Sequence, residues 1–238
     1  MQNSAQFNLK RHLVSARLRA ASQQLWAHPD IVQLYPIMLF RIHCMARATV
    51  PLMEAAIEQL RSRPTEPVTA ALIDYFTRQI PQETGHDGWL LEDLEALGIP
   101  RQQTLTQTPP PTVAALIGAQ YYWIKHHHPI ALLGYIAVVE SETPTLEHVE
   151  QTVQRTGLPK EAFRNFSRHA ILEPSHNQAL DRLFDTLPLS PEQTGLIGVS
   201  ITQSANMIAQ AAEEILEFHA LAQSAAPSSP PAATTAVV

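Results

Sequence analysis

Apolar side chains recur at three- and four-residue intervals along almost the whole chain, and this spacing constrains the fold more than any other feature. Strict apolar–polar alternation is rare, and no Asn-Gly or Asp-Gly pair stands between alternating segments as a hairpin turn requires. The pattern predicts an all-α protein. A chain of 238 residues with 45% hydrophobic content can also bury a substantial core.

Capping residues and prolines divide the pattern into predicted helices. Ser4 is expected to cap a first helix that runs to about Ala27, and a second helix over 30–62 is expected to kink or break at Pro36 and Pro51. Further helices are predicted over 65–79, 81–97, 114–128 and 131–143, then two shorter helices opened by Thr145 and Pro159, and a last helix over 190–222. We expect one domain over residues 1–223 and a disordered Pro/Ala/Ser/Thr-rich tail over 224–238.

Composition excludes several classes of function. A single cysteine excludes a disulfide framework and cysteine-based zinc or iron–sulfur sites, and eight glycines form no phosphate-binding motif. A net charge of -6 makes a nucleic-acid partner improbable. No apolar run approaches the ~18–20 residues of a membrane span, and the N-terminus lacks a signal-peptide pattern. We therefore expect a soluble, cytoplasmic protein whose unusual feature is its 11 histidines.

Three predicted helices place polar side chains in line with their apolar faces. In the helix over 81–97, Glu83 and His86 continue the stripe of Leu90, Leu94 and Leu97, and in the helix before Thr143 an apolar face continues to Glu140. In the segment RHAILEPSHNQALDRL, a third stripe carries one carboxylate between two imidazoles: His169, Glu173 and His176. Because Pro174 lies inside this stripe, the helix is expected to kink or break there.

These six residues supply three carboxylates and three imidazoles, which suit two divalent ions such as iron, manganese or zinc. Glu83 and His86 have the Glu-x-x-His spacing of carboxylate sites in helix bundles, although a second copy is absent. The alternative is structural: the carboxylates reach water at the helix ends, and hydrogen bonds satisfy the histidines.

The segments ETGHDGWLLEDLEALG, LLGYIAVVESETP and HAILEPSH resemble the haem-oxygenase-like superfamily, specifically its iron-containing redox enzymes or dimetal oxidases. The resemblance implies a haem-oxygenase-like multi-helical bundle, commonly a homodimer, with two iron ions (manganese is possible) and dioxygen as co-substrate. It implies oxidation of a small amino-acid-like or fatty-acid-like molecule. One ion would be held by Glu83, His86 and His176, and the other by Glu140, His169 and Glu173. Gln79 stands where some members have an earlier glutamate.

The same superfamily includes TenA-type thiaminases, whose activity needs a cysteine nucleophile in a local context that Cys44 does not match. A TenA-like hydrolase or a non-catalytic small-molecule-binding protein remains the alternative function, and a helical interaction module is a third. Haem oxygenase proper would need a proximal histidine near the N-terminus, and none of His12, His28 and His43 matches convincingly.

The remaining aromatic residues and histidines lead to weaker expectations. Aromatic side chains near the ligand helices suggest a substrate pocket formed by Trp89, Tyr121, Tyr122, Trp123 and Tyr135. Of the run 126–128, at most one histidine can enter the core, and a solvated helix end is expected. His43 and His219 are interpreted as hydrogen-bonded core histidines, and His148 as exposed.

Overall fold

The computed structural model describes residues 2–141 and 143–225, with the side chains of Glu173 and Pro174 excluded. Within these residues the secondary structure is helical, without strands, as predicted. The helices are α1 (Asn3–Val14), α2 (Ala16–Ala27), α3 (Ile31–Arg61), α4 (Thr69–Glu83), α5 (His86–Ala96), α6 (Arg101–Thr106), α7 (Pro111–His126), α8 (Leu132–Val139), α9 (Leu146–Thr156), α10 (Arg164–Thr186) and α11 (Pro191–Ala225), with short 3-10 turns at Pro129–Ala131 and Lys160–Phe163.

The two longest helices, α3 and α11, organise the bundle. Helix α3 packs on α4, α5 and α7, and α11 packs on α2, α7 and α8. Between them lies an apolar core that includes Leu52, Phe76 and Leu133, all completely buried. A second cluster joins α3 to the start of α10, where the rings of Tyr35 and Phe163 stack with their centroids 4.5 Å apart.

Several predicted helix boundaries are confirmed by their caps. Ser190 Oγ accepts from the backbone N–H of Gln193, whose side chain accepts in return from the Ser190 N–H, so a capping box marks the predicted start of α11. Thr145 accepts from the N–H of His148 at the start of α9. Gly98 lies just after α5 with φ at 82°, a left-handed conformation at the predicted end of this helix.

The first predicted helix is two helices, because the backbone turns at the fully buried Ser15. Ser4 lies inside α1 and does not cap it. Its N–H and hydroxyl instead donate to the two carboxylate oxygens of Asp185, each at 2.9 Å. A carboxylate near the end of α10 therefore stabilises the beginning of α1, a contact across the bundle that local spacing does not reveal.

A kink or break was expected at Pro36, Pro51 and Pro174, and no helix ends at any of the three. Helix α3 continues through the first two prolines, and α10 continues through the third. In α3 one face of the helix is buried around each proline, with Leu34 and Leu39 beside one and Leu52 and Ala56 beside the other. Burial of these turns offsets the hydrogen bond that each proline removes.

Helix α11 reaches Ala225, so residues 224 and 225, which were expected to belong to a disordered tail, are helical. The remainder of the predicted tail, 226–238, lies outside the described residues, and the single-domain boundary stays a prediction. Within the described part of the chain, no helix combines the length and the apolarity needed to cross a membrane.

Candidate metal centre

Glu83 and His86 belong to two different helices, which corrects the prediction of one helix over 81–97. Glu83 is the last residue of α4 and His86 is the first of α5. The connection turns at Gly85, whose φ of 92° is a left-handed conformation that suits glycine. Pro81 is accommodated in the last turn of α4. The Glu-x-x-His spacing therefore spans a helix–helix junction, where both side chains point into the bundle.

Glu140 comes directly after α8, a helix in which nearly every side chain is buried. Gly134 brings α8 close to α11, since a Cβ at this position would lie 2.6 Å from the carbonyl oxygen of Ile197. The backbone carbonyl of Glu140 also accepts from Asn177 Nδ2 of α10 at 3.1 Å. The Asn177 contact holds the end of α8 against α10, the helix that carries His169 and His176, while the close approach at Gly134 packs α8 on α11.

Helix α10 is anchored by Asp93 of α5, which is completely buried. Its two carboxylate oxygens accept from the backbone N–H groups of Arg164 and Asn165, at 3.2 and 2.9 Å. Both donors belong to the first turn of α10, so the carboxylate from α5 satisfies amides that lack a partner within the helix. This contact sets the position of His169 and His176 relative to His86.

The predicted ligands converge at the junction of these helices. His86 Nδ1 lies 3.1 Å from Glu83 Oε2, and His176 Nδ1 lies 3.7 Å from Glu83 Oε1, so the Glu83 carboxylate stands between two imidazoles. Glu83, Glu140 and His176 each offer one ligand atom within 4.8 Å of the other two. The ring of His169 packs edge-on against His86, with centroids 4.8 Å apart.

His169 is oriented as metal-binding histidines usually are. Its Nδ1 lies 3.0 Å from the backbone carbonyl of Asn165. Because a carbonyl only accepts, Nδ1 carries the proton and the lone pair of Nε2 faces the other way. Glu173, the sixth predicted ligand, has a side chain outside the described residues.

The protonation states also suit a cation. Burial opposes ionisation of Glu83, but the contact with His86 and the proximity of His176 and His169 outweigh it and lower the pKa of the carboxyl group. Burial lowers the pKa values of His169 and His176. At neutral pH the ionised Glu83 carboxylate therefore stands near the neutral imidazoles of His169 and His176, which are the forms that coordinate metals.

The environment of His86 Nδ1 indicates whether these residues fit a metal ion. Within the described residues, no hydrogen bond of normal geometry reaches Nδ1 of His86, although it lies beside the Glu83 carboxylate. A buried polar atom without a partner is costly, and a cation between the carboxylate and the imidazoles would satisfy it. Carboxylate and imidazole are donors that iron and manganese accept, so the residues fit such an ion.

The candidate ligands form one wall of a cavity of about 230 Å³. Glu83, His86, Glu140, His169 and His176 all line it, and the other walls are largely apolar. The apolar lining comes from α2, α3, α8 and α11 and includes Leu25, Met38, Met53, Ile136, Ile208 and Ile215. A small site of mixed carboxylate and imidazole groups thus opens into a space that fits an apolar molecule.

A family model described as iron-containing redox enzyme matches residues 41–211, which contain all the described candidate ligands. The chain belongs to the iron-containing redox enzyme family. A search of the curated proteins finds no match.

Solved structures show that this family member has a haem-oxygenase-like fold. A domain of unknown function with a heme oxygenase-like fold from Shewanella denitrificans has a TM-score of 0.73 at 17% identity, covering 90% of this chain and 94% of that one. A TenA homolog from Pseudomonas syringae pv. tomato has a TM-score of 0.69 at 14% identity, with 90% and 92% covered. A CADD-like protein of unknown function from Nostoc punctiforme has a TM-score of 0.64 at 16% identity, with 90% and 98% covered.

The substrate pocket predicted from aromatic residues does not coincide with the cavity beside the candidate ligands. Of the five aromatic residues, only Tyr135 is among the lining residues. Trp89 packs instead on the far side of the ligands, with its ring centroid 4.1 Å from that of His86 and 5.6 Å from that of His169. Tyr121, Tyr122 and Trp123 do not line the cavity, and Tyr122 is 64% exposed. Three consecutive helical residues point in three directions, so proximity in sequence did not place them at one site.

Tyr75 was not predicted as a residue of this candidate site, and Gln79 was assigned no role. Tyr75, Gln79 and Glu83 follow one another at four-residue spacing on α4, and this periodicity was the available signal. Tyr75 and Gln79 are buried, and within the described residues the Tyr75 hydroxyl and Gln79 Oε1 lack hydrogen-bond partners. Burial raises the pKa of Tyr75, and the charges of Glu140 and Glu83 raise it further.

The other histidines separate into distinct environments. His128 is the one residue of the run 126–128 that is buried, and its Nε2 lies 2.6 Å from Glu66 Oε2. His43 is fully buried with Nδ1 3.2 Å from the Asp87 carbonyl, as expected for a core histidine. His148 is half-buried against Trp26 and not exposed. His219 contacts Asp30 near the surface, so its assignment to the core is wrong.

Proposed function

We propose that this protein is a non-haem dimetal oxidase or oxygenase that uses two iron ions, with manganese as a possible substitute, and dioxygen. One observation carries the proposal: the Glu83 carboxylate lies between His86 and His176, with Glu140 beside it, at the wall of a largely apolar cavity. Membership of the iron-containing redox enzyme family supports iron as the metal.

Glu83, His86 and His176 would hold one ion, and Glu140, His169 and Glu173 would hold the other. Iron bound by these residues would supply the reductive activation of dioxygen. The protein contributes geometry: Asp93 holds α10 in place, and the Asn165 carbonyl keeps the His169 proton on Nδ1. The apolar walls exclude water from the substrate.

The cavity supports a small, mainly apolar substrate with an acidic group, such as a fatty-acid-like or amino-acid-like molecule. Arg41 lines the cavity and is 7% exposed. Its Nη1 donates to Glu214 and to the Ala211 carbonyl, at 2.9 and 2.6 Å. Its Nε is buried and has no hydrogen-bond partner within the described residues. A substrate carboxylate would accept from this N–H group.

A TenA-like hydrolase has less support. Cys44 does not line the cavity, and burial raises the pKa of its thiol, which opposes formation of a nucleophilic thiolate. The other alternative, a non-catalytic small-molecule-binding protein, would not consume oxygen. The decisive experiment therefore measures metal content and oxygen consumption together.

The experiment compares the wild-type chain with Glu83→Gln and His176→Ala after anaerobic loading with Fe(II). We expect up to two irons per chain in the wild type, oxygen-dependent absorbance, and loss of at least one iron and of oxygen consumption in both variants. The exposed His126→Ala is the matched control and should load normally. A wild-type chain that takes up no iron and keeps its full thermal stability without metal would contradict the proposal.

A further inference from the structure

A second group of metal-binding side chains lies where the α2–α3 connection meets the end of α11. His28 follows α2, Asp30 precedes α3, and His219 lies in the last two turns of α11. One ligand atom from each of the three lies within 4.8 Å of the other two. The group shares no residue with the candidate iron centre, and it is independent of the proposed function.

The contacts within this group are close. Asp30 Oδ2 lies 3.0 Å from His219 Nε2 and 2.9 Å from the amide nitrogen of Gln223, and that amide nitrogen lies 2.8 Å from His219 Nε2. The His28 ring stands edge-on to the His219 ring with centroids 5.4 Å apart. The backbone N–H of Asp30 donates to His28 Nδ1 at 3.1 Å, and a metal bound to His28 would take the place of this contact, because a neutral imidazole has a single lone pair.

With Asp30 ionised, no arrangement of protons satisfies the three contacts among Asp30, His219 and Gln223. A carboxylate oxygen only accepts and an amide nitrogen only donates, while a neutral imidazole nitrogen does one or the other. With a proton on Nε2, His219 faces the donating amide at 2.8 Å. Without that proton, its lone pair faces the carboxylate oxygen at 3.0 Å.

Rotating the Gln223 amide by half a turn moves the conflict without removing it. The amide oxygen then faces the carboxylate oxygen of Asp30 at the distance of 2.9 Å that the nitrogen had. A cation removes the conflict, because the carboxylate oxygen, the unprotonated Nε2 and the amide oxygen can all direct lone pairs toward it.

We propose that His28, Asp30 and His219 bind a divalent transition-metal ion of the zinc type, with the Gln223 amide oxygen as a fourth ligand. Two imidazoles and a carboxylate are a common donor set for such ions. With metal–ligand bonds of about 2.1 Å, tetrahedral ligand atoms stand about 3.4 Å apart, so the observed contacts need only small side-chain adjustments. The site is accessible to an ion, since the side chains of His219 and Asp30 are 12% and 34% exposed.

Metal binding here would tie the α2–α3 connection to α11 at one end of the cavity. Trp26, two residues before His28, and Ile215, one turn before His219, both line that cavity. The ion would therefore act as a structural clamp beside the substrate space, and iron-centre residues would not be involved.

The test uses a Glu83→Gln/His176→Ala chain, in which the candidate iron centre is disabled, freed of metal with a chelator. Titration calorimetry with zinc chloride should show about one zinc ion bound per chain. Scanning calorimetry at saturating zinc should show a melting temperature about 5 °C or more above that of the metal-free chain. Adding Asp30→Asn or His219→Gln should weaken binding at least tenfold. Adding His126→Gln, which changes an exposed histidine elsewhere, should leave zinc affinity unchanged.

Far-UV circular dichroism without metal establishes that each variant is folded, and the isosteric Asp30→Asn decides the test if His219→Gln fails to fold. Absence of zinc binding below about 100 µM, or equal zinc affinity with and without Asp30→Asn, would overturn the proposal. Because the background chain lacks two iron ligands, this outcome is separate from success or failure of iron loading in the wild type.

Discussion

The buried carboxylate of Asp93 makes the stability of this protein depend on pH in a predictable way. Burial raises its pKa from 3.8 to about 6, although the N–H groups of Asn165 and Arg164 oppose the shift. Between pH 4 and pH 6 the folded state therefore binds more protons than the unfolded state, and the contribution of Asp93 to stability falls as pH rises. The loss is nearly complete by about pH 7, one unit above the folded-state pKa.

Asp93→Asn removes the titration and keeps the shape of the side chain. The carbonyl oxygen of asparagine can still accept from one backbone N–H of α10, but its NH₂ group opposes the other, at a cost of about 1–3 kcal/mol that does not change with pH. From the two pKa values, the free energy of unfolding of the wild type should fall by about 1.4 kcal/mol relative to that of Asp93→Asn between pH 5 and pH 7.5.

The measurement is urea-induced unfolding of both proteins at about pH 5 and pH 7.5. The difference in free energy of unfolding between the two proteins is compared at the two pH values, so that the titration of all other groups cancels. The exposed Asp74→Asn is the control, expected within about 0.5 kcal/mol of the wild type at both pH values. A difference between wild type and Asp93→Asn that is constant with pH, or that changes in the opposite direction, would refute the assignment of Asp93 as a desolvated carboxylate.

Two further predictions concern helix contacts at the cavity. Gly134→Ala should lower the free energy of unfolding by about 1–3 kcal/mol, because the added Cβ would lie 2.6 Å from the Ile197 carbonyl oxygen. The control is Gly118→Ala, whose Cβ meets nothing within 4 Å and which should be neutral or stabilising in the same urea titration. Arg41→Lys should raise KM for an acidic substrate about tenfold or more while iron content stays the same, because lysine keeps the charge but lacks the buried Nε–H group of this cavity-lining arginine. An unchanged KM would mean that Arg41 only supports the packing of α3 against α11.

Local sequence patterns predicted the helices well, because helical periodicity and caps involve residues within one or two turns. The capping box at Ser190, the Thr145 cap and the left-handed Gly98 are all of this kind. The errors occurred where distant residues decide the outcome. Ser4 contacts Asp185 across the bundle, and burial of α3 allows it to continue through two prolines.

The candidate site was predicted in composition but not in construction. Residue types and the family resemblance pointed to six ligands, and the structure places five of them on the wall of one cavity, while the side chain of the sixth, Glu173, lies outside the described residues. The left-handed Gly85 between Glu83 and His86, the anchoring role of Asp93 and the position of the cavity were not predicted. Each depends on how helices meet, which the spacing along one helix does not report.

The two histidine clusters show the division between sequence and tertiary structure. By itself, the sequence determined that the chain is helical, and it predicted imidazole and carboxylate ligands at Glu83, His86, Glu140, His169 and His176. Only the tertiary structure decided that Glu83 stands between two imidazoles and that His28 and Asp30 meet His219 nearly two hundred residues away. Spacing along a helix determines which side chains share a face, but packing between helices determines which faces meet.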